Sequence, residues 1–228
     1  MTLTVWRIAL TNETWTTRLL PLLDSTEKAR ADRFRSHELR QRFVIAHGAT
    51  RLLLAEAAQQ PISALRFTHN AWGKPALEGT ASPVFNLSHA KDLALLAVAE
   101  TGDIGVDVEA VRPSPVVERL DLVRRFFSAA EYQALRGLDE QAFVSAFFST
   151  WTRKEAYIKA KGLGLSLPLN QFSVTCQAPP ALLESEYCPS DVGRYRFWDI
   201  ALSEGYFGSL AYDGPACGEL VCRDWELA

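Results

Sequence analysis

The stretch TWTRKEAYIKAKGLGL, residues 150–165, decides how this 228-residue chain folds. Trp151, Glu155, Ile158 and Lys159 recur in it at spacings of three and four residues. On a helix, that spacing puts a carboxylate and an ammonium on one face, beside an aromatic and an aliphatic side chain. The face is predicted to serve both the core and the chemistry.

A second segment, IGVDVE at residues 104–109, has the composition of a strand. Because side chains alternate along a strand, Asp107 and Glu109 fall on one side and the three aliphatic residues on the other. Acidic residues are depleted in strands, so two of them in this context are unusual, although taken alone two exposed acids on an edge strand are the commoner explanation. Gly105 lets a ligand or another backbone come close.

These two segments together resemble a known signature. Residues 104–107 match the block Val/Ile-Gly-Ile/Val-Asp, and residues 151–159 match Trp/Phe-Ser/Thr/Cys-x-Lys-Glu-Ser/Ala-x-x-Lys at every specified position, with 43 residues between Asp107 and Trp151. This is the pattern of the 4′-phosphopantetheinyl transferases. The resemblance extends through three further blocks: WGKP at 72–75, FNLSH at 85–89 and FFSAAEY at 126–132.

The resemblance implies an architecture. Members of the larger, surfactin-synthetase-activating group have about this length and an α/β (α+β) fold, a pseudodimer of two similar subdomains. Each subdomain is a long helix packed on a small, mainly antiparallel sheet, and coenzyme A binds in the cleft between them. We therefore expect an N-terminal subdomain over residues 1–102 and a C-terminal one over 103–228 that carries the metal ligands.

The order of elements in the first half follows from periodicity and capping signals. We expect a short helix beginning at residues 24–27, where Asp24 or Ser25 caps it, and a long amphipathic helix over about 38–58. Residues 11–17 are predicted to form a polar turn. Strands are predicted over residues 3–8, 65–68, 84–87 and 93–99.

The second half is predicted to repeat this order. Residues 128–131 have the capping-box pattern of a helix start, and Asp139 can cap a long helix that runs to Lys161 and stops at Gly162. The halves share no evident residue-level identity, so the inference is a structural pseudo-repeat. Strands are predicted over residues 104–109, 172–176, 195–200, 206–212 and 219–221.

The reaction implied by the resemblance is attack by a carrier-protein serine on the diphosphate of coenzyme A, with release of 3′,5′-bisphosphoadenosine. Such transfers need cations to stabilise charge, and Mg²⁺ prefers a few carboxylates with phosphate oxygens and water. Asp107, Glu109 and Glu155 are the candidate metal ligands, with Mn²⁺ as a possible substitute. Lys159 would reach a phosphate oxygen.

A base must accept the serine proton. Glu155 could do so directly, or hold the metal while a water takes the proton. Glu131, which matches a family glutamate in the block at 126–132, is another candidate. The alternative for Glu155 and Lys159 is an ordinary surface pair at i,i+4.

The candidate coenzyme A ligands are scattered along the chain, and the resemblance supplies their roles. His89 approaches the 3′-phosphate and Ser88 the diphosphate, whereas Arg42 offers a bidentate fork to phosphate. Taken singly, a strand-end histidine or a helix arginine is more often structural. The full set is Lys28, Arg30, Arg42, Lys74, Ser88, His89, Lys154 and Lys159.

Composition agrees with a globular enzyme. A net charge of −3 gives no general attraction to nucleic acid or anionic membrane, and no run reaches the roughly 18 apolar residues of a membrane span. We expect the protein to be cytoplasmic. We also expect a monomer, because two halves of one chain already form the cleft. The four cysteines, Cys176, Cys188, Cys217 and Cys222, form no Cys-x-x-Cys pair and are expected to be reduced.

The expected partners are coenzyme A and apo acyl or peptidyl carrier proteins. Fatty-acid, polyketide and nonribosomal peptide carriers all present a serine at a helix start, and no motif here selects among them. Two rivals remain: a catalytically idle module of the same fold that binds coenzyme A or carrier protein, and an unrelated metal-dependent phosphoryl or nucleotidyl transferase.

Overall fold

The computed structural model describes residues 3–215 and 219–227, in which six α-helices and eleven β-strands form a mixed α/β fold. The first half contains β1 (Leu3–Ala9), α1 (Glu13–Leu19), α2 (Ser25–Ala31), α3 (His37–Ala57), β2 (Phe67–His69), β3 (Pro75–Leu77), β4 (Val84–Ala90) and β5 (Leu93–Ala99). The second contains β6 (Asp103–Ala110), α4 (Val116–Phe126), α5 (Ala129–Leu135), α6 (Glu140–Lys161), β7 (Phe172–Val174), β8 (Leu182–Ser185), β9 (Arg196–Asp199), β10 (Tyr206–Asp213) and β11 (Leu220–Trp225).

The two halves share one topology, which confirms the predicted pseudo-repeat. In the first sheet β1 pairs with β5 and β5 with β4, and in the second β6 pairs with β10 and β10 with β9, all antiparallel. Each half adds a small two-stranded sheet, β2–β3 in one and β7–β8 in the other. The correspondence lies in strand order, although the sequences of the halves differ.

The layers run from helix α3 through the two sheets to helix α6. One apolar cluster joins α3 to the first sheet and another joins the two sheets, in which Leu3, Val5 and Leu95 meet Val106 and Leu210. A third cluster joins α6 to β7, β8 and β9. Because both faces of the second sheet are covered, Asp107 of β6 is buried and Glu109 is partly buried, whereas Asp103 at the start of the strand is exposed.

Strand β11 departs from the simple division at residue 102. It pairs parallel with β1, with Leu3 opposite Leu220 and Ile8 opposite Trp225, so the last strand of the chain is an edge of the first sheet. The carboxy-terminal segment therefore crosses back to the first half. A boundary near residue 102 stays a prediction for the rest of the chain.

The predicted ends of helix α6 are confirmed. The Asp139 side chain accepts from the Ala142 amide, and Gly162 ends the helix in the left-handed conformation with φ of 65°. The capping boxes at Asp24 and Ser128 also form as predicted, each with its glutamate three residues on. These local signals are fixed by backbone chemistry and so could be read from the sequence.

Three short elements correct the sequence-based assignment. The predicted polar turn over residues 11–17 is wrong, because Asn12 accepts from the Thr14 amide and starts α1. Strands β3 and β8 were not predicted. Each has three or four residues and pairs in a two-stranded sheet, which is too short for a periodic pattern to stand out.

Three cysteines, Cys176, Cys188 and Cys222, are free thiols, and Cys217 lies outside the described residues. Within residues 3–215 and 219–227, no helix combines the length and the apolar composition needed to span a membrane.

Candidate active site

Helix α6 lies directly on the face of β6 that carries the acidic residues. Gly105 makes this contact possible, because a Cβ there would overlap the Ala156 carbonyl oxygen and the Ala160 nitrogen in the backbone of α6. Asp107 and Glu109 follow on the same side of the strand, as the period of two predicts. Gly105 thus allows α6 to pack closely against β6 just before Asp107 and Glu109.

Three side chains of α6, spaced by four residues, face these acids. Trp151 donates a hydrogen bond to Glu109, Glu155 lies within electrostatic reach of Asp107 and Glu109, and the Lys159 ammonium is 2.6 Å from Asp107 Oδ1. The predicted common face therefore holds for these three residues. Ile158 instead packs into the apolar cluster behind the helix.

Asp107 is the most buried of the three carboxylates. Its Oδ1 accepts from the Ser88 hydroxyl at 3.0 Å and from the Lys159 ammonium, whereas its Oδ2 is buried and has no hydrogen-bond partner. Burial raises the pKa of Asp107, and the Lys159 charge and the hydrogen bond from Ser88 oppose that rise. One oxygen of this buried carboxylate is thus left to bind something else.

Charge repulsion links the three carboxylates. Burial, followed by the charge of Asp107, raises the pKa of Glu109. Burial, followed by the charges of Asp107 and Glu109, raises the pKa of Glu155 to about 7, against the pull of Lys159. A cation other than Lys159 would relieve this repulsion.

The donor set suits a hard divalent cation. Carboxylate oxygens are the ligands that Mg²⁺ prefers, and the partnerless Asp107 Oδ2 is a ready ligand atom. Across the part of the chain that the structure describes, no group of three or more His, Cys, Asp or Glu side chains meets the geometry of a metal site. The three carboxylates interact through their charges without converging on one point.

The first half contributes strand β4 to this site. The Asn86 side chain accepts from the Val106 amide at 2.9 Å, and the Ser88 hydroxyl receives a hydrogen bond from the Lys159 ammonium at 2.8 Å. Strand β4 is therefore tied to β6 by side chains, although no ladder joins them in the sheets described. Ser88 therefore lies between the two halves, in the cleft where coenzyme A is predicted to bind.

A group of cationic side chains lies beside the carboxylates. His89 follows Ser88 on β4 and is exposed. The surrounding atoms desolvate its imidazole, which lowers the pKa of His89, and the charges of His47, Lys159, Arg30 and Arg42 lower it further, in that order. These effects place His47, Lys159, Arg30 and Arg42 near His89, where α2, α3 and β4 of the first half face α6.

Some of these cations already have protein partners. The Arg42 guanidinium contacts Asp92 Oδ1 at 2.6 Å and also pairs with Glu38. Arg30 stacks on the Phe43 ring at 5.1 Å. Lys28 donates to the Pro21 carbonyl at 3.1 Å and is partly buried.

Comparison with known proteins agrees with this geometry. A family model described as the 4′-phosphopantetheinyl transferase superfamily matches residues 103–211, and one described as the 4′-phosphopantetheinyl transferase N-terminal region matches residues 6–101. This chain belongs to the 4′-phosphopantetheinyl transferase family.

Relatives with curated names support the same family. HetI, a 4′-phosphopantetheinyl transferase of Nostoc sp., is 39% identical over 71% of this chain and 69% of its own length. Sfp, the 4′-phosphopantetheinyl transferase of Bacillus subtilis, is 31% identical over 69% and 68%. The Synechocystis protein slr0495 is 38% identical over 79% and 71%.

Two residues predicted to serve the chemistry of this transferase lie elsewhere in the structure. Lys154 has no exposed surface, and its ammonium donates to both oxygens of Glu131, at 2.7 and 2.8 Å, and to the Phe172 carbonyl. Glu131 also accepts from the amides of Ser128 and Val174. The two groups thus enclose each other in the interior, and the roles of Lys154 in binding coenzyme A and of Glu131 as a base stay predictions.

Lys74, whose role in binding coenzyme A stays a prediction, contacts backbone carbonyls in this structure. Its ammonium donates to the Ala160 carbonyl at 2.8 Å and to the Ile104 carbonyl at 3.0 Å. Burial lowers the pKa of Lys74 to about 8, and the charge of Asp103 opposes that change. The side chain borders a cleft of about 440 Å³ but is directed into the junction between β6 and α6.

Sequence reasoning missed two side chains of the site. His47 is 3.1 Å from Glu27 Oε1 and stacks on Phe43, with ring centroids 4.0 Å apart. In the sequence, His47 is recognisable only as a helix residue one turn after Phe43. That position does not distinguish a histidine that binds a substrate from one that packs in the core. The hydrogen bond from Trp151 to Glu109 likewise depends on how α6 lies across β6.

Proposed function

We propose that this chain transfers the 4′-phosphopantetheine group of coenzyme A to a serine of an apo acyl or peptidyl carrier protein. The observation that carries the proposal is the meeting of three carboxylates from β6 and α6 with a cationic group from α2, α3 and β4. A substrate with several phosphates and a requirement for charge stabilisation fits this combination. Family membership supplies the identity of that substrate.

In the proposed complex, the arginine, lysine and histidine side chains of this group bind the phosphates of coenzyme A. His89, His47, Arg30 and Arg42 form the group closest to β4, and Lys28 extends it along α2. Lys159 lies between Ser88 and Asp107 and would contact the diphosphate. Arg42 is held by Asp92, so its guanidinium is preorganised rather than free to search.

Asp107, Glu109 and Glu155 are the proposed Mg²⁺ ligands, with Mn²⁺ as a possible replacement. When bound, the ion supplies positive charge to the diphosphate oxygens as the transferred group moves. The support comes from the partnerless Asp107 Oδ2 and the mutual repulsion of the three carboxylates. Ser88 and Lys159 orient Asp107 by holding its other oxygen.

We assign Glu155 as the group that accepts the serine proton. Its carboxylate lies on the face of α6 that meets the acids of β6, beside the proposed metal site where the serine hydroxyl must approach the diphosphate. The serine oxygen then bonds to the phosphorus that carries pantetheine. The bond from that phosphorus to the bridging oxygen breaks, and 3′,5′-bisphosphoadenosine leaves. Glu131 is the weaker candidate because both of its oxygens are bound by protein donors.

The proposal includes a cytoplasmic location and a monomeric state. The support for a monomer is that one chain already contributes both sides of the site, with Ser88 from the first half and Asp107 from the second. Size-exclusion chromatography with light scattering tests this directly. A dimer would indicate that a second interface exists.

The reaction is tested by intact mass spectrometry of several apo carrier proteins incubated with the enzyme, coenzyme A and Mg²⁺. We expect a gain equal to phosphopantetheine on carriers that keep the serine and none on serine-to-alanine carriers. Chelator, Asp107→Ala and Glu155→Ala should each abolish it. Coenzyme A binding without transfer to any carrier would favour the idle binding module, and transfer from nucleotides that lack the pantetheine arm would favour an unrelated transferase.

A further inference from the structure

The loop between β2 and β3 contacts the carboxy-terminal end of helix α6. Asn70 Nδ2 donates to the Gly162 carbonyl at 2.7 Å, and the Lys74 ammonium donates to the Ala160 carbonyl at 2.8 Å. Both acceptors lie at the end of the helix, where carbonyl groups have no partner within the helix itself. The first half therefore caps the helix of the second half.

The same ammonium also contacts strand β6. Lys74 Nζ donates to the Ile104 carbonyl at 3.0 Å, three residues before Asp107, while Ala160 directly follows Lys159. One side chain thus joins the strand that carries Asp107 to the helix that carries Lys159. The Lys159–Asp107 contact at 2.6 Å lies a short distance from this junction along both elements.

The loop is shaped so that Lys74 is aimed at the junction. Asn70 Oδ1 accepts from the amides of Trp72 and Lys74 at 3.0 and 2.9 Å, and the Asn70 amide donates to the Lys74 carbonyl. Asn70 therefore folds the loop with its oxygen and holds the helix with its nitrogen. A single asparagine couples the loop to α6.

Gly162 completes the contact. Its φ of 65° is rarely adopted by residues with a side chain, and a Cβ there would come within 3.0 Å of both Asn70 Nδ2 and Lys74 Cδ. The absence of a side chain at Gly162 therefore lets the loop approach the end of α6 this closely. A cation at the carboxy-terminal end of a helix is also favoured by the helix dipole.

We propose that Lys74 and Asn70 are positioning residues that hold the end of α6 against β6 and thereby set Glu155 and Lys159 relative to Asp107. The kinetic part of this inference rests on the proposed transfer reaction. The lowered pKa of Lys74, about 8, agrees with the contacts, because a neutral amine still has two hydrogens for the two carbonyls. The clamp formed by Lys74 and Asn70 then persists on both sides of that pKa.

Steady-state kinetics with varied coenzyme A and saturating carrier protein separate this role from direct ligand binding. Misplacing reacting groups by about 1 Å can cost about 100-fold, so we expect Lys74→Met and Asn70→Ala to lower kcat by about tenfold or more. The KM for coenzyme A should stay within about twofold. A raised KM with unchanged kcat would instead make Lys74 a ligand of coenzyme A and overturn the proposal.

Glu78→Gln is the matched control, since Glu78 is exposed at the end of the same small sheet. It should leave kcat and KM unchanged. All variants are assayed well below their measured Tm, so that loss of folded protein does not enter kcat. Asn70→Ala serves as the second test should Lys74→Met fold poorly, because Asn70 is exposed and its replacement buries no unpaired charge.

Hydrogen exchange followed by mass spectrometry tests the clamp without any activity. We expect faster exchange in both variants for peptides over residues 155–162 and 103–107, and no change in Glu78→Gln. Unaltered exchange at the end of α6 would overturn the proposal even if kcat fell. Should the wild-type protein modify no carrier, the proposed function fails, and the exchange result still decides whether the loop positions α6.

Discussion

At the scale of single residues, the site brings together carboxylates that repel one another, and the contacts within the protein do not fully neutralise their charges. Burial raises the pKa of all three carboxyls; the charge of Asp107 further raises the pKa of Glu109 and of Glu155, and Glu109 further raises that of Glu155. Lys159 contacts only one oxygen of Asp107. Binding sites often keep such repulsion because the ligand relieves it. Stability and activity should therefore respond in opposite directions when one carboxylate is removed.

Glu155→Gln tests this opposition. Transfer should fall by about 100-fold or more, because the amide cannot accept the serine proton. With chelator present, the variant should be more stable than wild type above pH 7, by at most about 3 kcal/mol, since the pKa of Glu155 rises from 4.5 to about 7 on folding.

The sign of that pH dependence is defined by the raised pKa. Between pH 4.5 and 7 the unfolded chain has lost this proton and the folded chain keeps it, so wild type loses stability relative to the variant as the pH rises through this window. Urea unfolding at a series of pH values measures the difference. Glu204→Gln, at an exposed loop position, is the control and should show none. Equal stability of wild type and Glu155→Gln at every pH would contradict the account of repulsion.

Lys74 gives the opposite slope. Its pKa falls from 10.5 to about 8 on folding, so between these values the unfolded chain holds a proton that the folded chain has released. The stability of wild type relative to Lys74→Met should therefore rise with pH from about 8 and be flat below it. Urea unfolding between pH 7 and 9.5 checks this. A difference that is constant with pH would mean that Lys74 stays charged in the folded protein.

Much of the site could be predicted at this scale, and the exceptions have a geometric cause. Successive residues of a helix are 100° apart, so Lys154 follows the stripe of Ile158 rather than that of Glu155. Lys154 and Ile158 both face the interior, where Glu131 meets the ammonium. A motif records which residues occur together, whereas helix geometry decides which of them share a surface.

At the scale of elements, the decisive contact is that of α6 on β6. Gly105→Ala should lower the free energy of unfolding by about 3 kcal/mol or more, because the new methyl would overlap backbone atoms of Ala156 and Ala160 that cannot rotate away. Gly137→Ala is the matched control, since a Cβ there meets nothing within 4 Å.

Urea unfolding of the two glycine variants gives the measurement. Transfer should also fall in Gly105→Ala when assayed on folded protein, since lifting α6 moves Glu155 and Lys159 away from Asp107. Equal stability of Gly105→Ala and Gly137→Ala would contradict this account, because it would mean that α6 can move away from the new methyl group without a loss of stability.

Element boundaries could be predicted where a side chain caps the backbone, as at Asp24, Ser128, Asp139 and Gly162. They could not be predicted where the signal is spread over few residues. The threonine-rich segment that forms α1 has low helix propensity, and its helix is stabilised by packing of Leu19 in the core. Tertiary contacts outweighed local preference there.

At the scale of the whole molecule, Trp225 shows how the carboxy-terminal strand contributes to the first half. It is 8% exposed and packs edge-on against Trp15, with ring centroids 5.0 Å apart, in the cluster that joins α3 to the first sheet. Trp225→Ala should cost about 3–5 kcal/mol in unfolding free energy. Trp72→Ala, at a tryptophan that is 54% exposed, should cost little.

Thermal or urea unfolding compares the stability of the two tryptophan variants. The number of unfolding transitions also shows whether the two halves unfold together. One cooperative loss of both halves is expected in Trp225→Ala, because β11 and the sheet-to-sheet cluster connect them. A variant in which only the first half melted early would indicate that the halves are energetically separate.

The repeated topology could be predicted from the order of elements, but the position of β11 could not. A strand pattern over residues 219–221 says nothing about its partner, and its neighbours in sequence belong to the second half. Parallel pairing with β1 depends on where the chain leaves β10 and on the Arg7 guanidinium, which binds both oxygens of Asp224 at 2.8 and 3.0 Å. The pairing of strands that are distant in sequence is determined by packing in the folded core, which the local sequence pattern does not contain.

Because β1 spans residues 3–9 and its parallel partner spans residues 220–225, protein synthesis delivers the second strand long after the first. While the ribosome is still adding the second half, one edge of β1 has only solvent or a foreign strand to pair with. A nascent chain in that condition is a target for chaperones and for strand exchange with a neighbouring copy. The first sheet reaches its full width only after residues 220–225 have left the exit tunnel.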